Sequence, residues 1–372
     1  MRKWMNWKAP AAPGLQGLGV ERWTRLSRSF TASAGLVIVA LAFVPLFGSA
    51  NVTQKLTGLF ILVMLSTMWN ALAGYGGLVS VGQQTYIGVG AYSTILLARA
   101  GVSPYPAMLI AIVVSGIAAL ALSFLVLRLR GGQFSIATWV VAAAFAIIIS
   151  LDKALGGGTG ISLIELNRYT PAQRQSYTYW FVLGVMTLFI GLLFVLLRSQ
   201  VGATLQAIRD DEHAASSVGV RVMARKRLLY VFSGLGFGAV GAAVLANTLF
   251  IQPQATFGVS WMAYAIFMVI VGGLGTFEGP IIGAILLFVI QDRFADYGVW
   301  YLVALGVAAI LFALLLPRGI WGTIEGRFGV QLLPVGYRVR GIKEWGKSVL
   351  SGTVSADPQP EDSPPSGKDG DA

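Results

Sequence analysis

The sequence is poor in the residues on which many metal sites and enzymes depend. It contains no cysteine and a single histidine, His213. Without cysteine there are no disulfides, no cysteine-ligated zinc, no iron–sulfur cluster and no thiol nucleophile. One histidine also excludes a histidine-rich metal site and most histidine-centred catalysis. We therefore expect no catalytic residue and no metal ligand in this chain.

Charge is scarce as well. Only 12% of the 372 residues are charged, and 56% are hydrophobic. An ordinary soluble domain carries about twice that charged fraction. A soluble fold cannot bury so much apolar surface, because surface area grows almost as fast as mass. The composition predicts an all-α, polytopic bundle of membrane helices.

The polar residues are concentrated at the two ends. Residues 1–30 are basic and residues 31–316 hold the apolar runs. Residues 317–372 are basic at first and then rich in Pro, Ser and Asp, a composition typical of disorder. We predict a cytoplasmic N-terminal segment, a transmembrane domain and a cytoplasmic tail that ends in disorder.

A membrane-spanning helix needs about 20 apolar residues. Ten runs approach that length: 32–50, 56–74, 78–98, 105–127, 134–151, 179–197, 228–250, 259–273, 277–291 and 299–316. Three of them, 78–98, 259–273 and 277–291, are short or broken by glycine. Interrupted helices are tolerated only inside a bundle. We therefore predict ten spans, or eight spans with two re-entrant pieces.

Lysine and arginine indicate the orientation. With the N-terminus inside and the ten runs alternating, 21 of the 27 Lys and Arg residues lie inside and six outside. This excess follows the positive-inside rule and predicts that both termini are cytoplasmic. The net charge of +11 is then an orientation signal, and no nucleic-acid partner is expected.

One predicted cytoplasmic loop, residues 198–227, has helical character because alanines are frequent in it. A charged block at residues 209–212 is followed by two alanines and, further on, by Gly219. A helix of small residues that ends at glycine suits docking into a partner's groove. A solvated connector held by charge pairs explains the same residues, so both interpretations stay open at this point.

Four blocks of the chain carry a family resemblance, in this order: GYGGLVSVGQQTYIGVGAY at 74–92, LRLRG and FSIAT within 127–138, AIRDDEHAASSVGVRVMARKRLLYVFSGLGFGAVGAAVL at 207–245, and GGLGTFEGPIIGA at 272–284. Together they resemble the LivM-type permeases of branched-chain amino-acid ABC importers. The run at 211–219 is similar to the coupling loop of such permeases. The resemblance covers residues 35–325, and Gln83 stands where the family often has histidine.

The resemblance implies a transport subunit of the bacterial inner membrane without catalysis of its own. It implies four partners: a homologous second permease, two cytoplasmic ATPases and a periplasmic substrate-binding protein, all within membrane lipid. ATP and Mg would be bound by the ATPases, and this chain would hold no cofactor. The residues implied in coupling to the ATPase are Arg209, Asp210, Asp211, Glu212, Ala214, Ala215 and Gly219.

A translocation path would be lined by sparse polar groups, because a polar residue inside a bundle is costly unless it is paired or wetted. The candidates are Asn70, Gln83, Gln84, Thr85, Tyr86, Ser135, Thr138 and Asn247. For any single one of them, hydrogen bonding between helices is the more frequent explanation. Urea or short amides are alternative cargoes, and a secondary transporter without an ATPase is an alternative class.

Overall fold

The structure is a computed structural model of the chain. It describes residues 6–8, 19–21, 25–294, 297, 299–316, 318–328, 332–333 and 338–340. The chain divides into two compact units, Met1–Ser29 with Gly336–Ala372, and Phe30–Val335.

Helices form most of the described chain. In chain order they are α1 (Arg25–Ala42), α2 (Val44–Phe47), α3 (Ala50–Asn70), α4 (Gln84–Arg99), α5 (Pro104–Val126), α6 (Gly131–Leu151), α7 (Pro171–Arg198), α8 (Gln200–Asp210), α9 (Glu212–Ser217), α10 (Val222–Thr248), α11 (Pro253–Thr256), α12 (Ser260–Gly272), α13 (Gly279–Phe294), α14 (Val299–Leu315) and α15 (Gly319–Phe328). A π-helical turn, Ala71–Tyr75, continues α3. Short 3-10 turns lie at Lys153–Leu155, Gly157–Thr159 and Ile164–Arg168.

The buried centre of the Phe30–Val335 unit is built around α10, which packs against α4, α5 and α3. Small residues permit this close packing. A Cβ atom on Gly238 of α10 would meet the side chain of Ser115 on α5, and one on Gly90 of α4 would meet the backbone of Gly238. Membrane helices approach each other through such small residues, because apolar side chains gain little by leaving lipid.

Within the described residues, eight helices are long and apolar enough to cross a bilayer: Ser29–Phe47, Ala50–Tyr75, Pro104–Val126, Gly131–Leu151, Pro171–Arg198, Val222–Thr248, Pro253–Gly272 and Val303–Phe328. Helices α4 and α13 have 16 residues each. That length is about 24 Å, less than the roughly 30 Å of the hydrocarbon core. The predicted helical membrane fold is confirmed, whereas the count of about ten spans stays a prediction.

The two short helices fall on two of the three runs that the sequence marks as short or glycine-broken, 78–98 and 277–291. The third run, 259–273, lies mainly in α12, which together with α11 forms one of the eight long spans. The expectation of short helices in these runs is therefore confirmed for α4 and α13. In the third, α11 lengthens the helical stretch toward its N-terminal side.

Two small antiparallel sheets complete the described chain. In the Phe30–Val335 unit, β3 (Ile161–Ser162) pairs with β4 (Phe250–Ile251). In the other unit, β1 (Asn6–Lys8), β2 (Gly19–Glu21) and β5 (Arg338–Arg340) form three strands in the order β1-β2-β5. The sequence analysis predicts no strand in these polar ends. Residues 341–372, with the predicted disordered tail, lie outside the described residues, and the predicted domain boundaries stay predictions.

Candidate functional site

The segment between α7 and α10 folds as two short helices, α8 and α9, rather than as an extended connector. Ser199 caps α8, and Asp211 caps α9 by accepting hydrogen bonds from the backbone amides of His213 (2.8 Å) and Ala214 (3.0 Å). Gly219 ends α9 with φ +85°, and the Val220 amide returns to the Ala215 carbonyl at 3.1 Å. Glycine adopts this left-handed conformation without steric cost. The expectation of a small-residue helix ended by glycine is thus met.

The three acidic residues of this segment are engaged within the chain. Asp210 Oδ1 pairs with the guanidinium of Arg209 at 2.9 Å, and Glu212 Oε2 pairs with Lys226 Nζ at 2.6 Å. The amides of Ala214 and His213, in that order of effect, lower the pKa of Asp211. These carboxylates hold the α8–α9 segment in shape, in addition to any contact with a partner.

Arg209 is partly exposed, but its guanidinium also reaches the interrupted helix. Its Nη1 donates a 2.7 Å hydrogen bond to the carbonyl of Gly74, in the π-helical turn after α3. Its aliphatic stem lies over Gly77, where φ is +66° and an added Cβ would be 3.3 Å from Arg209 Cγ. The same guanidinium thus contacts both Asp210 and the helix break.

Asn70, at the end of α3, ties the same place to the loop before α13. Its Nδ2 donates to the Thr276 carbonyl at 2.8 Å, and its Oδ1 accepts from the Gly275 amide at 2.9 Å. A Cβ on Gly74 would be 2.7 Å from the Gly275 nitrogen, so glycine is required for this approach. We call this contact set the glycine junction, and its members are Asn70, Gly74, Gly77, Arg209, Gly275 and Thr276.

The α9 end of the segment presents small and apolar residues to the outside. Ala214 and Gly219 are exposed, whereas Ala215 is buried against the rest of the segment. Val218 is 79% exposed and directly precedes the glycine turn. The sequence analysis missed Val218. The signal available for it was an apolar residue between two serines and a glycine.

Six of the eight candidate path residues come together around residues 79–86. Ser135 and Thr138 lie one turn apart on α6, and both contact the non-helical segment before α4. Ser135 Oγ donates to the Val79 carbonyl at 2.5 Å, and Thr138 Oγ1 accepts from the Val81 amide at 3.3 Å. Residues 83–86 follow directly at the start of α4. Tyr86 donates through its hydroxyl to the hydroxyl of Tyr230 on α10 at 2.9 Å.

Several buried polar atoms in this group lack a partner. Gln83 Nε2 donates to Ser80 Oγ at 3.0 Å. Among the described residues, Gln83 Oε1, both amide atoms of Gln84 and Thr85 Oγ1 have no hydrogen-bond partner. All three side chains are at most 1% exposed. An unpaired polar group costs about 1–3 kcal/mol. Three consecutive residues of this kind, at the start of a helix with no side-chain cap, call for a functional explanation.

The other two candidates lie elsewhere. Asn70 belongs to the glycine junction, where both ends of its amide bind backbone groups. Asn247 is half-buried near the C-terminal end of α10. It lies 17 positions beyond Tyr230, a distance of about 26 Å along a helix. The polar candidates therefore form one cluster at the start of α4, whereas Asn70 lies in the glycine junction and Asn247 lies far along α10.

The elements that form this site lie within a region that matches a known protein family. A family model described as the permease component of branched-chain amino acid transport systems matches residues 51–316. The chain belongs to this family. The matched region begins in α3 and ends after α14, so it contains the glycine junction, the α8–α9 segment and the polar cluster of the permease.

Individual relatives agree with this assignment. The permease is 27% identical over 313 residues to the high-affinity branched-chain amino acid transport system permease protein LivM of Salmonella typhimurium and to that of Escherichia coli, with 77% of this chain and 73% of each relative covered. The resemblance to LivM-type permeases is confirmed, and the permease is a multi-pass membrane protein. A probable LivM of Methanocaldococcus jannaschii is 25% identical over 186 residues, covering 48% of this chain and 53% of its own.

One solved structure is similar in part. An inward-facing conformation of a putative metal-chelate type ABC transporter aligns with a TM-score of 0.42 and 17% identity, over 81% of this chain and 99% of that one. This similarity is below the level that establishes a common fold.

Proposed function

We propose that the permease is a subunit of an ATP-driven importer that carries leucine, isoleucine and valine across the bacterial inner membrane. It would work with a homologous second permease, two cytoplasmic ATPases that bind ATP and Mg, and a periplasmic binding protein. The family description and the names of the LivM relatives support the transport class and the cargo.

The observation that carries the coupling role is the connection of the α8–α9 segment to the glycine junction. The segment lies between two long apolar helices, α7 and α10, and exposes Val218 and Gly219 at its tip. Its other end is bonded through Arg209 to the Gly74 carbonyl. A partner that displaces the tip would therefore also pull on the π-helical break after α3 through the Arg209–Gly74 bond. This is the rigid-body coupling expected of an ATP-driven transporter.

We propose that substrate passes the start of α4. Broken membrane helices direct the positive end of a helix dipole toward anionic substrate groups, and unwound backbone serves as additional ligand. Three features support this proposal: the π-helical turn, the non-helical segment before Gln84 and the unpaired amide of Gln84. A passing carboxylate would satisfy the donors of Gln84 and Thr85, which have no partner among the described residues.

The orientation follows from charge. The α8–α9 segment and its flanks carry Arg198, Arg209, Arg221, Arg225, Lys226 and Arg227, and a cytoplasmic location of these residues follows the positive-inside rule. The same location is required if the segment binds a cytoplasmic ATPase. We therefore propose that the glycine junction lies toward the cytoplasm and that both termini are cytoplasmic.

The test replaces Gly219 by asparagine. Asparagine tolerates a positive φ, and a Cβ at Gly219 would meet nothing within 4 Å inside the chain. The change therefore adds bulk only toward an external partner. Gly101 is a matched control, because it also has positive φ (+93°) and open space but lies at the other end of α4.

We expect Gly219→Asn to insert normally, to lose co-purification with the ATPase and to lose most leucine uptake in vesicles that contain the complete importer. Gly101→Asn should keep both. Uptake and ATPase association that survive Gly219→Asn would contradict the coupling role. Uptake of leucine by the permease without any ATPase would contradict the proposed class.

A further inference from the structure

A cavity lies at the end of α3 opposite the glycine junction. It has a volume of about 380 Å³ and is walled by α3, α10, α12 and α13. Lys55 on α3 marks its position, 15 residues before Asn70 and so about 22 Å from it along the helix. Small-molecule sites have volumes of roughly 300–1,000 Å³, so this cavity has room for an amino acid.

The cavity carries one charge of each sign. Lys55 Nζ and Asp292 Oδ1 are 2.6 Å apart, and the two side chains remain 45% and 34% exposed. Charged side chains of membrane proteins face water-filled cavities or the bundle interior, because lipid exposure is costly. The exposed pair therefore indicates that water reaches this cavity. Both charges compensate each other when no ligand is present.

The remaining wall is mainly apolar. Ile61 and Leu62 of α3, Val244 of α10 and Phe288 of α13 line it, with few polar groups among them. Tyr264 of α12 is half-buried in the same wall. A predominantly apolar lining with a few convergent polar groups is typical of small-molecule sites. Here the apolar surface and the two opposite charges lie in one cavity.

This combination matches the chemistry of an α-amino acid with a branched aliphatic side chain. Such a molecule carries a carboxylate, an ammonium group and an apolar side chain. Lys55 would pair with the carboxylate and Asp292 with the ammonium group, so that one internal ion pair is exchanged for two. The aliphatic side chain would lie against Leu62 and Phe288. Asn247 and Gln291 supply further hydrogen-bonding groups in the wall.

We infer that the Lys55–Asp292 cavity is the acceptance site at which the permease receives the zwitterionic amino acid before it moves toward α4. The inference rests on the proposed function for its cargo but assigns the site independently. It also gives a role to Asn247, which lines this cavity and lies far from the other candidate path residues. Neither Lys55 nor Asp292 was among the candidate path residues of the sequence analysis.

The test uses a diazirine analogue of leucine as a photo-crosslinking probe on the assembled importer in nanodiscs, without binding protein. Labelled residues are identified by mass spectrometry. We expect labelling of the cavity wall that excess L-leucine prevents. Isopentylamine, which lacks the carboxylate, and 4-methylpentanoate, which lacks the ammonium group, should not prevent it.

Lys55→Met and Asp292→Asn should each reduce leucine-protected labelling about tenfold. Arg293→Met is the matched control, because Arg293 is adjacent to Asp292 but does not line the cavity. The exchanged variant, Lys55→Asp with Asp292→Lys, restores an ion pair but reverses its direction. It should recover the thermal stability of the wild type without recovering the labelling.

Two results would overturn the inference: protected labelling confined to another part of the chain, or labelling by the exchanged variant at the wild-type level. Equal protection by isopentylamine or 4-methylpentanoate would also contradict recognition of a zwitterion. These failures differ from failure of the proposed function. In the latter case, the complete wild-type importer itself takes up no branched-chain amino acid.

Discussion

Arg209 offers the sharpest test of the proposed coupling between the α8–α9 segment and the membrane helices. Replacement by methionine keeps the aliphatic stem over Gly77 but removes the guanidinium that binds the Gly74 carbonyl at 2.7 Å. The Asp210 contact is lost as well. The change therefore removes the bond between the segment and the glycine junction together with one ion pair inside the segment.

The size of the effect follows from the type of bond. A hydrogen bond with a charged partner contributes about 1.5–3 kcal/mol. The Arg209 side chain is 36% exposed, so solvent competes for its donors and the lower end applies. A coupling free energy of about 1.4 kcal/mol corresponds to about a tenfold change in the equilibrium between two states. We expect the leucine imported per ATP hydrolysed to fall about tenfold.

The assay measures leucine uptake and ATP hydrolysis in parallel, in proteoliposomes that contain the complete importer. Arg209→Met should still co-purify with the ATPase, because the exposed tip at Val218 and Gly219 is unchanged. Arg221→Met is the control, since Arg221 is an exposed arginine of the same segment outside the glycine junction. The reasoning is refuted if both variants lose ATPase association equally, because Arg209 would then act by charge toward the partner.

Three further predictions follow from the same contacts. Gly74→Ala should reduce uptake and lower the melting temperature, because the added Cβ would be 2.7 Å from the backbone nitrogen of Gly275. Gly132→Ala is the control and should leave both unchanged, because a Cβ there meets nothing within 4 Å. Val218→Ser should weaken ATPase co-purification without lowering the melting temperature, since Val218 is 79% exposed, and unchanged co-purification would exclude Val218 from the contact. Glu278 accepts a 2.6 Å hydrogen bond from the Leu333 amide, and burial raises the pKa of its carboxyl group. The unfolded chain therefore releases this proton at a lower pH than the folded chain. The free energy of unfolding then falls as the pH rises from about 4.5 through the raised pKa. Glu278→Gln should remove that fall in thermal unfolding measured from pH 4 to 8, and an unchanged pH profile would contradict the assignment.

Much of the fold was predictable because a helix that spans a membrane needs a long apolar run in the sequence. The eight long helices and both 16-residue helices fall on runs identified by composition alone. The helical, glycine-terminated character of residues 198–227 was likewise predictable, because alanine and glycine act locally on the backbone.

The direction of individual side chains was not predictable. Arg209 sits in a charged block that reads as a solvated surface, yet its guanidinium reaches Gly74, which is 135 residues away in sequence. The Lys55–Asp292 pair joins residues at the ends of two separate helices. Local pattern carries no information on such pairings, since helix packing brings them together only after the bundle has formed.

Helix packing explains why two separate segments of the chain are rich in glycine. Each of them, at 74–77 and at 272–275, looks in isolation like a site of close helix contact. In the structure Gly74 and Gly275 approach each other, and Asn70 and Arg209 bind the backbone that this approach exposes. A Cβ on Gly74 would force the break after α3 away from the loop before α13, because it would be 2.7 Å from the Gly275 nitrogen. Because three elements share these few contacts, a displacement of α8 cannot leave the other two unaffected, and the glycine junction should move as one body during transport.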